Sequence, residues 1–324
     1  MRILLVFFSL LVISCSKEAS YYSEKELADD GFYKEILNNS FIFYEGQASY
    51  YINHNGLRRE YIMYIPPDIE SRENLPVIFN FHGYQGQANQ FFNQTNLIDI
   101  ANANGVVLVY PQGALLDGGA THWNAAPKNS SSNSFINKSN VDDIGFFMTL
   151  LEEVNQNNIL DLNRVYAIGY SNGGMFSHFL ACNTDNVFAA IGDVAGTMLI
   201  DTYNNCNPSS PVPVLKIHGT SDNVVAYNGF EQQGFKTVNE VVDFWKINNK
   251  SNDEFFFNSM KSNSWANYMG PIDFEKYTYE SSQNNSTVVH YKMLGGRHWW
   301  DYSLDNNLKT SSLLWEFFSK HSKE

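Results

Sequence analysis

A serine flanked by glycines is the strongest chemical signal in the sequence. Gly169-Tyr170-Ser171-Asn172-Gly173 follows an apolar stretch that predicts a strand and precedes a stretch that predicts a helix. Small neighbours are needed where a strand turns sharply into a helix and presents a serine at the turn. We therefore interpret Ser171 as a nucleophile. The alternative is a glycine-rich turn with an exposed serine.

A serine hydroxyl is a weak nucleophile at neutral pH, so the same chemistry needs a base and an acid that orients the base. A serine at a strand–turn–helix of this kind is called a nucleophile elbow, and in the fold that uses it the triad residues occur along the chain in the order serine, acid, histidine. Asp222 comes directly after an apolar strand pattern, and His298 lies in the loop between the last predicted strand and the last predicted helix. We predict that Asp222 and His298 complete the triad. The other acids considered are Asp185, Asp193, Asp201 and Asp243.

Acyl transfer also needs backbone N–H groups that stabilise the negative charge on the former carbonyl oxygen. One donor follows the nucleophile, and the other comes from the loop after an earlier strand. These positions are Asn172 and Tyr84, the latter in Phe81-His82-Gly83-Tyr84, where His82 is expected to organise the loop. The chemistry requires no cofactor or metal, and we see no ligand cluster with metal-site spacing.

The elements that position these residues predict an α/β fold. Residues 41–52 and 57–65 alternate like strands around Asn55-Gly56, a strong hairpin signal. Strands and helices then alternate, which indicates a mostly parallel sheet with helices on both faces and its ligand site at the carboxyl ends of the strands. Further strands are predicted at 76–81, 106–109, 164–168, 188–194, 212–217 and 287–294, and helices at 91–104, 142–157, 172–182, 235–248 and 304–320. Residues 249–286 receive no assignment.

The first residues predict export. Ile3 to Ile13 is apolar except for Ser9 and is too short for a resident membrane helix, so we interpret 1–14 as a signal peptide. Val12-Ile13-Ser14-Cys15 resembles the bacterial lipoprotein box, which would leave a lipidated Cys15, a polar tether over 15–40 and one domain over 41–324. The protein would then be anchored to a bacterial membrane, on its periplasmic or cell-surface face. The alternative is an ordinary signal peptide.

Net charge limits the kinds of partner that the protein can bind, and its cysteines predict a disulfide. The net charge of −13 argues against a nucleic-acid partner, and the oligomeric state is left open. In an exported protein Cys182 and Cys206 are expected to pair, the alternative being two independent buried thiols.

Several further motifs carry a family resemblance. They are Phe81-His82-Gly83, Val109-Tyr110-Pro111-Gln112-Gly113, Trp123-Asn124-Ala125, Val141-Asp142-Asp143-Ile144-Gly145-Phe146, Tyr170-Ser171-Asn172-Gly173-Gly174-Met175 and Ile217-His218-Gly219-Thr220. From about Tyr61 to Trp300 the chain resembles the polyhydroxybutyrate depolymerase-like esterases, which include feruloyl and acetylxylan esterases of carbohydrate esterase family 1. The resemblance implies the α/β-hydrolase fold and an extracellular serine esterase, and it supports a Cys182–Cys206 disulfide. The chain departs from the family pattern at Tyr84 and at Gly295-Gly296-Arg297-His298-Trp299-Trp300-Asp301.

The resemblance also implies a substrate class. Trp123 and Trp300, with Tyr84, are predicted to form an aromatic rim that stacks on sugars or phenolic rings, the alternative being packing. We expect a small ester or an ester-decorated plant polysaccharide carrying feruloyl or acetyl groups. The alternatives are a polyhydroxybutyrate depolymerase and, from another class, a non-catalytic carbohydrate-binding lipoprotein.

Overall fold

The computed structural model describes residues 46–67, 74–116, 118–128, 130, 138–156, 159–252, 256–260, 273–302 and 309–323. They belong to one unit, Phe43–Glu324. The predicted signal peptide, Cys15 and the tether lie outside the described residues. Within the described ranges, no helix is long and apolar enough to cross a membrane.

A single large sheet organises the described residues. The strands are β1 (Gly46–His54), β2 (Leu57–Ile65), β3 (Leu75–Phe81), β4 (Val107–Pro111), β5 (Ala114–Leu115), β6 (Thr121–His122), β7 (Leu160–Tyr170), β8 (Ala190–Val194), β9 (Val214–Gly219), β10 (Phe256–Met260), β11 (Phe274–Glu280) and β12 (Thr287–Met293). Of these, β5 and β6 form a separate two-stranded ribbon, and the others form the large sheet. The order across the sheet is β1-β2-β4-β3-β7-β8-β9-β12-β11-β10. The six central strands, from β4 to β12, run parallel, and antiparallel strands flank them on both sides.

Helices cover both faces of this sheet, as predicted. They are α1 (Ala88–Thr95), α2 (Ile98–Asn104), α3 (Asp143–Val154), α4 (Asn172–Asn183), α5 (Ile200–Asn205), α6 (Val238–Asn248) and α7 (Thr310–Phe318). One buried apolar cluster joins α3, α4 and α6 to one face, and a second joins α1, α2 and α7 to the other. Alternate side chains of a central strand enter opposite clusters, which explains the continuous apolar runs of these strands.

The amino-terminal hairpin has the predicted turn. Asn55 and Gly56 both have positive φ, 49° and 78°, as a two-residue type I′ connection requires. The strands pair antiparallel from His54↔Leu57 to Gly46↔Ile65. This hairpin extends the sheet beyond β4, to which β2 is paired.

Several parts of the sequence fold differently from the prediction, which did not include α5 or the ribbon of β5 and β6. The helix expected over 91–104 is two helices, because Asn96 adopts a left-handed conformation with φ 53° and ends α1. The unassigned segment 249–286 contains β10 and β11, which pair antiparallel. An asparagine can make such a turn without a glycine, so the spacing of apolar residues alone did not reveal the break.

A disulfide links Cys182, in α4, to Cys206, directly after α5. Both half-buried cysteines pack against the apolar cluster on that face of the sheet. The bond closes a loop with a sequence separation of 24.

Replacing both cysteines by serine is expected to lower the free energy of unfolding by about 3 kcal/mol, because the unfolded chain then regains the entropy of an open loop. Urea denaturation of the Cys182→Ser/Cys206→Ser protein measures this. The matched control is the same variant with a reductant, which should add no further loss. An unchanged urea midpoint in both the variant and the reduced wild-type protein would contradict the prediction.

Candidate active site

The predicted nucleophile occupies a strained turn between β7 and α4. Ser171 has φ 55° and ψ −117°, a conformation that costs an ordinary residue about 1–3 kcal/mol. A Cβ on Gly169 would collide with the backbone of Gly173, and a Cβ on Gly173 would collide with the carbonyl of Phe81. Gly169 therefore allows β7 and α4 to meet, and Gly173 allows α4 to lie against the end of β3. The N–H of Ser171 donates to Val194 O, at the end of β8, over 2.9 Å.

The predicted acid and base are in direct contact. His298 Nδ1 donates to Asp222 Oδ2 over 2.7 Å. The other carboxylate oxygen accepts the N–H groups of Val224 and Val225 at 2.8 and 2.9 Å. Burial opposes ionisation of Asp222, but hydrogen bonds from His218 and His298 outweigh it and hold the pKa of the carboxyl well below its ordinary value. Because Asp222 stays ionised and occupies Nδ1, Nε2 of His298 is left to accept a proton.

His298 lies beside the elbow. Its ring is 5.2 Å from the ring of Tyr170, the residue before the nucleophile, and the Tyr170 hydroxyl donates to His298 O over 3.0 Å. Ser171 Oγ and His298 are not hydrogen-bonded to each other in the described part of the chain. Catalytic hydrogen bonds often tighten only when substrate is bound.

Both predicted oxyanion donors belong to segments that border Ser171. A Cβ on Gly83 would lie 3.3 Å from the Ser171 Cβ, so the loop that carries Tyr84 runs against the nucleophile. Asn172 is the first residue of α4, where backbone N–H groups have no acceptor within the helix. Among the described residues, neither the Tyr84 nor the Asn172 N–H has a hydrogen-bond acceptor. Both groups are therefore available to a ligand.

His82 organises the loop that carries Tyr84 through both ring nitrogens. Gly113 N–H donates to Nε2 over 2.9 Å, so Nε2 carries no proton, and Nδ1 donates to Gly83 O over 2.8 Å. Burial lowers the pKa of His82 to about 4, with Arg59 adding to the effect. The imidazole is therefore neutral at pH 7 and joins two loops.

The prediction that Trp123 and Trp300 belong to an aromatic rim is wrong. Trp123 is fully buried, stacked on Phe176 with 5.1 Å between ring centroids, and its indole N–H donates to His82 O. Trp300 is only 2% exposed and packs edge-on against Phe91. Their aromatic area is used in packing and cannot face a substrate in this structure. Tyr84, in contrast, is 38% exposed.

Asn172 has a second, structural contact that sequence reasoning missed. Its side-chain oxygen accepts the N–H of Trp123 and its amide donates to Trp123 O, at 2.9 and 3.0 Å. The neighbouring Asn124 N–H donates to Asp143, which is ion-paired with the buried Arg59. These contacts fix the segment after β6 against the start of α4.

Sequence reasoning also missed the charged residues buried beneath the site. Lys216 and His218 lie in β9 with no exposure, and Lys216 pairs with Asp193 of β8 over 2.8 Å. A lysine inside an apolar strand pattern was the available signal, because lysine is almost never fully buried unless it is paired. No group of His, Cys, Asp and Glu side chains within the described ranges could hold a metal ion.

The sequence profile of the family described as "Esterase PHB depolymerase" matches residues 59–228, a segment that contains Ser171 and Asp222 but ends before His298. Feruloyl esterase B of Piromyces equi is 29% identical over 173 residues, which are 53% of this chain and 30% of that protein. The bifunctional acetylxylan esterase/xylanase of Neocallimastix patriciarum is 25% identical over 181 residues, 56% of this chain and 24% of that protein. The match thus spans less than a third of either relative.

A solved structure confirms the fold. The acetyl xylan esterase from Aspergillus awamori superposes with a TM-score of 0.57, covering 84% of this chain and 99% of that one. At 12% sequence identity this likeness concerns the α/β-hydrolase architecture alone.

The buried His82 predicts a pH dependence of stability. Its pKa is about 4 in the folded protein and about 6.5 when unfolded, so the unfolded state binds the extra proton between these values. The free energy of unfolding should therefore fall as the pH drops from about 6.5 to about 4. His82→Asn should reduce this slope near pH 5 by about 1.4 kcal/mol per pH unit, as urea denaturation at several pH values would show.

His321 supplies the matched control, since burial lowers its pKa to about 4 as well. His321→Gln should reduce the slope similarly, although this residue is at the far end of α7. Identical slopes in the wild-type and His82→Asn proteins would show that folding does not lower the pKa of His82.

Proposed function

The chain belongs to the esterase family described as PHB depolymerase, and from that premise we propose that it is a serine carboxylic-ester hydrolase whose triad is Ser171, His298 and Asp222. The contact that carries the proposal is the 2.7 Å hydrogen bond from His298 Nδ1 to Asp222, beside a serine held in a strained elbow. An ionised, buried acid fixes the tautomer of the base, which is the arrangement that general-base activation of a serine requires.

The reaction proceeds in two transfers of the acyl group. His298 Nε2 takes the proton of Ser171 as Oγ attacks the ester carbonyl carbon, and the charge on the former carbonyl oxygen meets the N–H groups of Tyr84 and Asn172. The tetrahedral intermediate collapses, the carbon–oxygen bond to the alcohol breaks, and His298 returns the proton to the leaving alcohol. Water then repeats the sequence, releasing the acid and restoring Ser171.

The proposed substrates are feruloyl or acetyl esters on plant polysaccharide. The names of relatives, a feruloyl esterase and an acetylxylan esterase/xylanase, support this choice. The exposed ring of Tyr84, on the loop that borders Ser171, offers an aromatic contact near the nucleophile. The family description favours polyester as the second candidate substrate. Export and lipidation of Cys15 stay predictions from the sequence.

Ser171→Ala is expected to lower kcat for p-nitrophenyl acetate by about five or six orders of magnitude, because the nucleophile is lost. Asp222→Asn should lower it by about 10⁴, because the base loses its tautomer control. Ser177→Ala is the matched control, since Ser177 lies buried in the same helix and bonds only the Gly173 carbonyl. Wild-type turnover by a folded Ser171→Ala protein would refute the triad. A folded wild-type protein with no turnover of any ester would instead favour a non-catalytic carbohydrate-binding role.

The substrate class can be tested by comparing kcat/KM for methyl ferulate and acetylated xylo-oligosaccharide with long-chain acyl esters and polyhydroxybutyrate film. We expect the first two to be the better substrates. Tyr84→Ala should lower kcat/KM for methyl ferulate by about two- to tenfold relative to a plain acetyl ester, the size of one aromatic contact.

Tyr51→Ala is the control for Tyr84→Ala, because Tyr51 is similarly exposed but lies on the edge strand β1. Equal losses for all esters in Tyr84→Ala would assign that ring to packing. Fastest hydrolysis of the polyester film would favour the depolymerase alternative.

A further inference from the structure

A continuous chain of buried polar side chains lies behind the acid of the triad. Asp193 in β8 and Lys216 in β9 are paired directly across the parallel ladder, and His218 follows on the same face of β9. The side chains of Asp193 and His218 are fully buried, and that of Lys216 is 1% exposed. The proposed triad uses none of these three residues, although they form hydrogen bonds up to Asp222.

Lys216 fixes the proton position on His218. An ammonium group has three N–H donors and no acceptor. Those of Lys216 have three partners: Asp193 Oδ2 at 2.8 Å, Gly196 O at 2.7 Å and His218 Nδ1 at 2.8 Å. Nδ1 of His218 must therefore accept a hydrogen bond, which leaves the ring proton on Nε2.

The protonated Nε2 of His218 points to the loop that runs from Asp222 to Val225. It lies 2.8 Å from Val225 O and 3.3 Å from Asp222 Oδ2, the oxygen that also accepts His298 Nδ1. With Val224 and Val225 N–H on the other oxygen, the Asp222 carboxylate accepts three hydrogen bonds, and the His218 N–H that donates to Val225 O lies against the oxygen that His298 binds. A carboxylate so surrounded cannot rotate without breaking several hydrogen bonds.

We propose that His218, with its tautomer set by Lys216, is a positioning residue that holds Asp222 and the loop through Val225 in the orientation that His298 requires. This inference rests on the proposed function. It assigns no proton transfer to His218. The imidazole acts as a fixed donor, and Asp222 passes the effect to the base.

The charges around His218 favour this role. Burial lowers the pKa of His218, and the charge of Lys216 lowers it further, although Asp222 and Asp193 oppose them. His218 is therefore uncharged. It leaves the negative charge of Asp222 available to interact with His298. The groups facing it from the adjoining loop and from β12 are Tyr227 and His290, and burial also holds the pKa of His290 well below its ordinary value.

Two polar substitutions separate positioning from simple packing. His218→Gln can still place an N–H at the position of Nε2, whereas the shorter His218→Asn can serve Lys216 but not Asp222. We expect His218→Asn to lower kcat for p-nitrophenyl acetate by about tenfold, with KM within about twofold of wild type, and His218→Gln to restore most of that loss. The low-field proton NMR signal of the His298 Nδ1–H bond should weaken or shift in His218→Asn only. Equal kcat values and signals in the two variants would overturn the proposal.

The wild-type protein provides a test that does not depend on the folding of a variant. Nitrogen-15 NMR of the histidine rings should show His218 as the Nε2–H tautomer, unprotonated at Nδ1, from pH 5 to pH 8. A Nδ1–H tautomer, or titration within this range, would overturn the inference. This measurement needs no turnover, so an inactive wild-type protein would refute the proposed function without deciding the tautomer.

Discussion

The contact between the end of β7 and the first turn of α4 is the constraint on which the rest of the site depends. The absence of a side chain on Gly169 lets its backbone touch that of Gly173, and Ser171, in the turn between them, adopts its strained conformation. The strands on either side take part, since Phe81 O borders Gly173 and Val194 O accepts the Ser171 N–H. Ser171 is thereby fixed to three neighbouring strands at once. A local strain of about 1–3 kcal/mol is tolerable because the parallel sheet surrounds it on both sides.

Charge is the second determinant of the site. Isolated ions are costly to bury, yet Asp193, Lys216 and Asp222 all lie beneath the elbow. The cost is reduced because each has partners: Lys216 neutralises Asp193, and backbone N–H groups with two imidazoles surround Asp222. Such groups are already oriented before a substrate arrives, so the proposed mechanism needs little reorganisation when charge develops on His298. The same rigid, partnered polar groups that are buried in the fold would thus also serve the proposed reaction.

The sequence predicted the parts of this protein that depend on local rules. The hairpin turn at Asn55-Gly56 and the alternation of strands and helices follow from backbone conformation and apolar spacing, and the structure has both. The burial of Trp123 could not be read in this way, because its neighbour Phe176 is distant in sequence and only the folded sheet brings them together. The same holds for the tautomer of His218, which depends on a lysine two residues away whose own state is set by the next strand. The spacing of motifs therefore identifies candidate site residues, but long-range packing determines which groups their side chains contact.

The parallel pairing of β12 with β9 has a consequence for synthesis of the chain. β12 is the last strand in the described residues, and His298 follows it, whereas Ser171 follows β7 and Asp222 follows β9, both of which are made much earlier. A growing chain therefore contains Ser171 and Asp222 well before His298 is made. Only when β12 docks beside β9 does His298 reach Asp222. Under the proposed triad, hydrolytic competence is the last property that the fold acquires, and a nascent or truncated polypeptide without His298 would not attack esters.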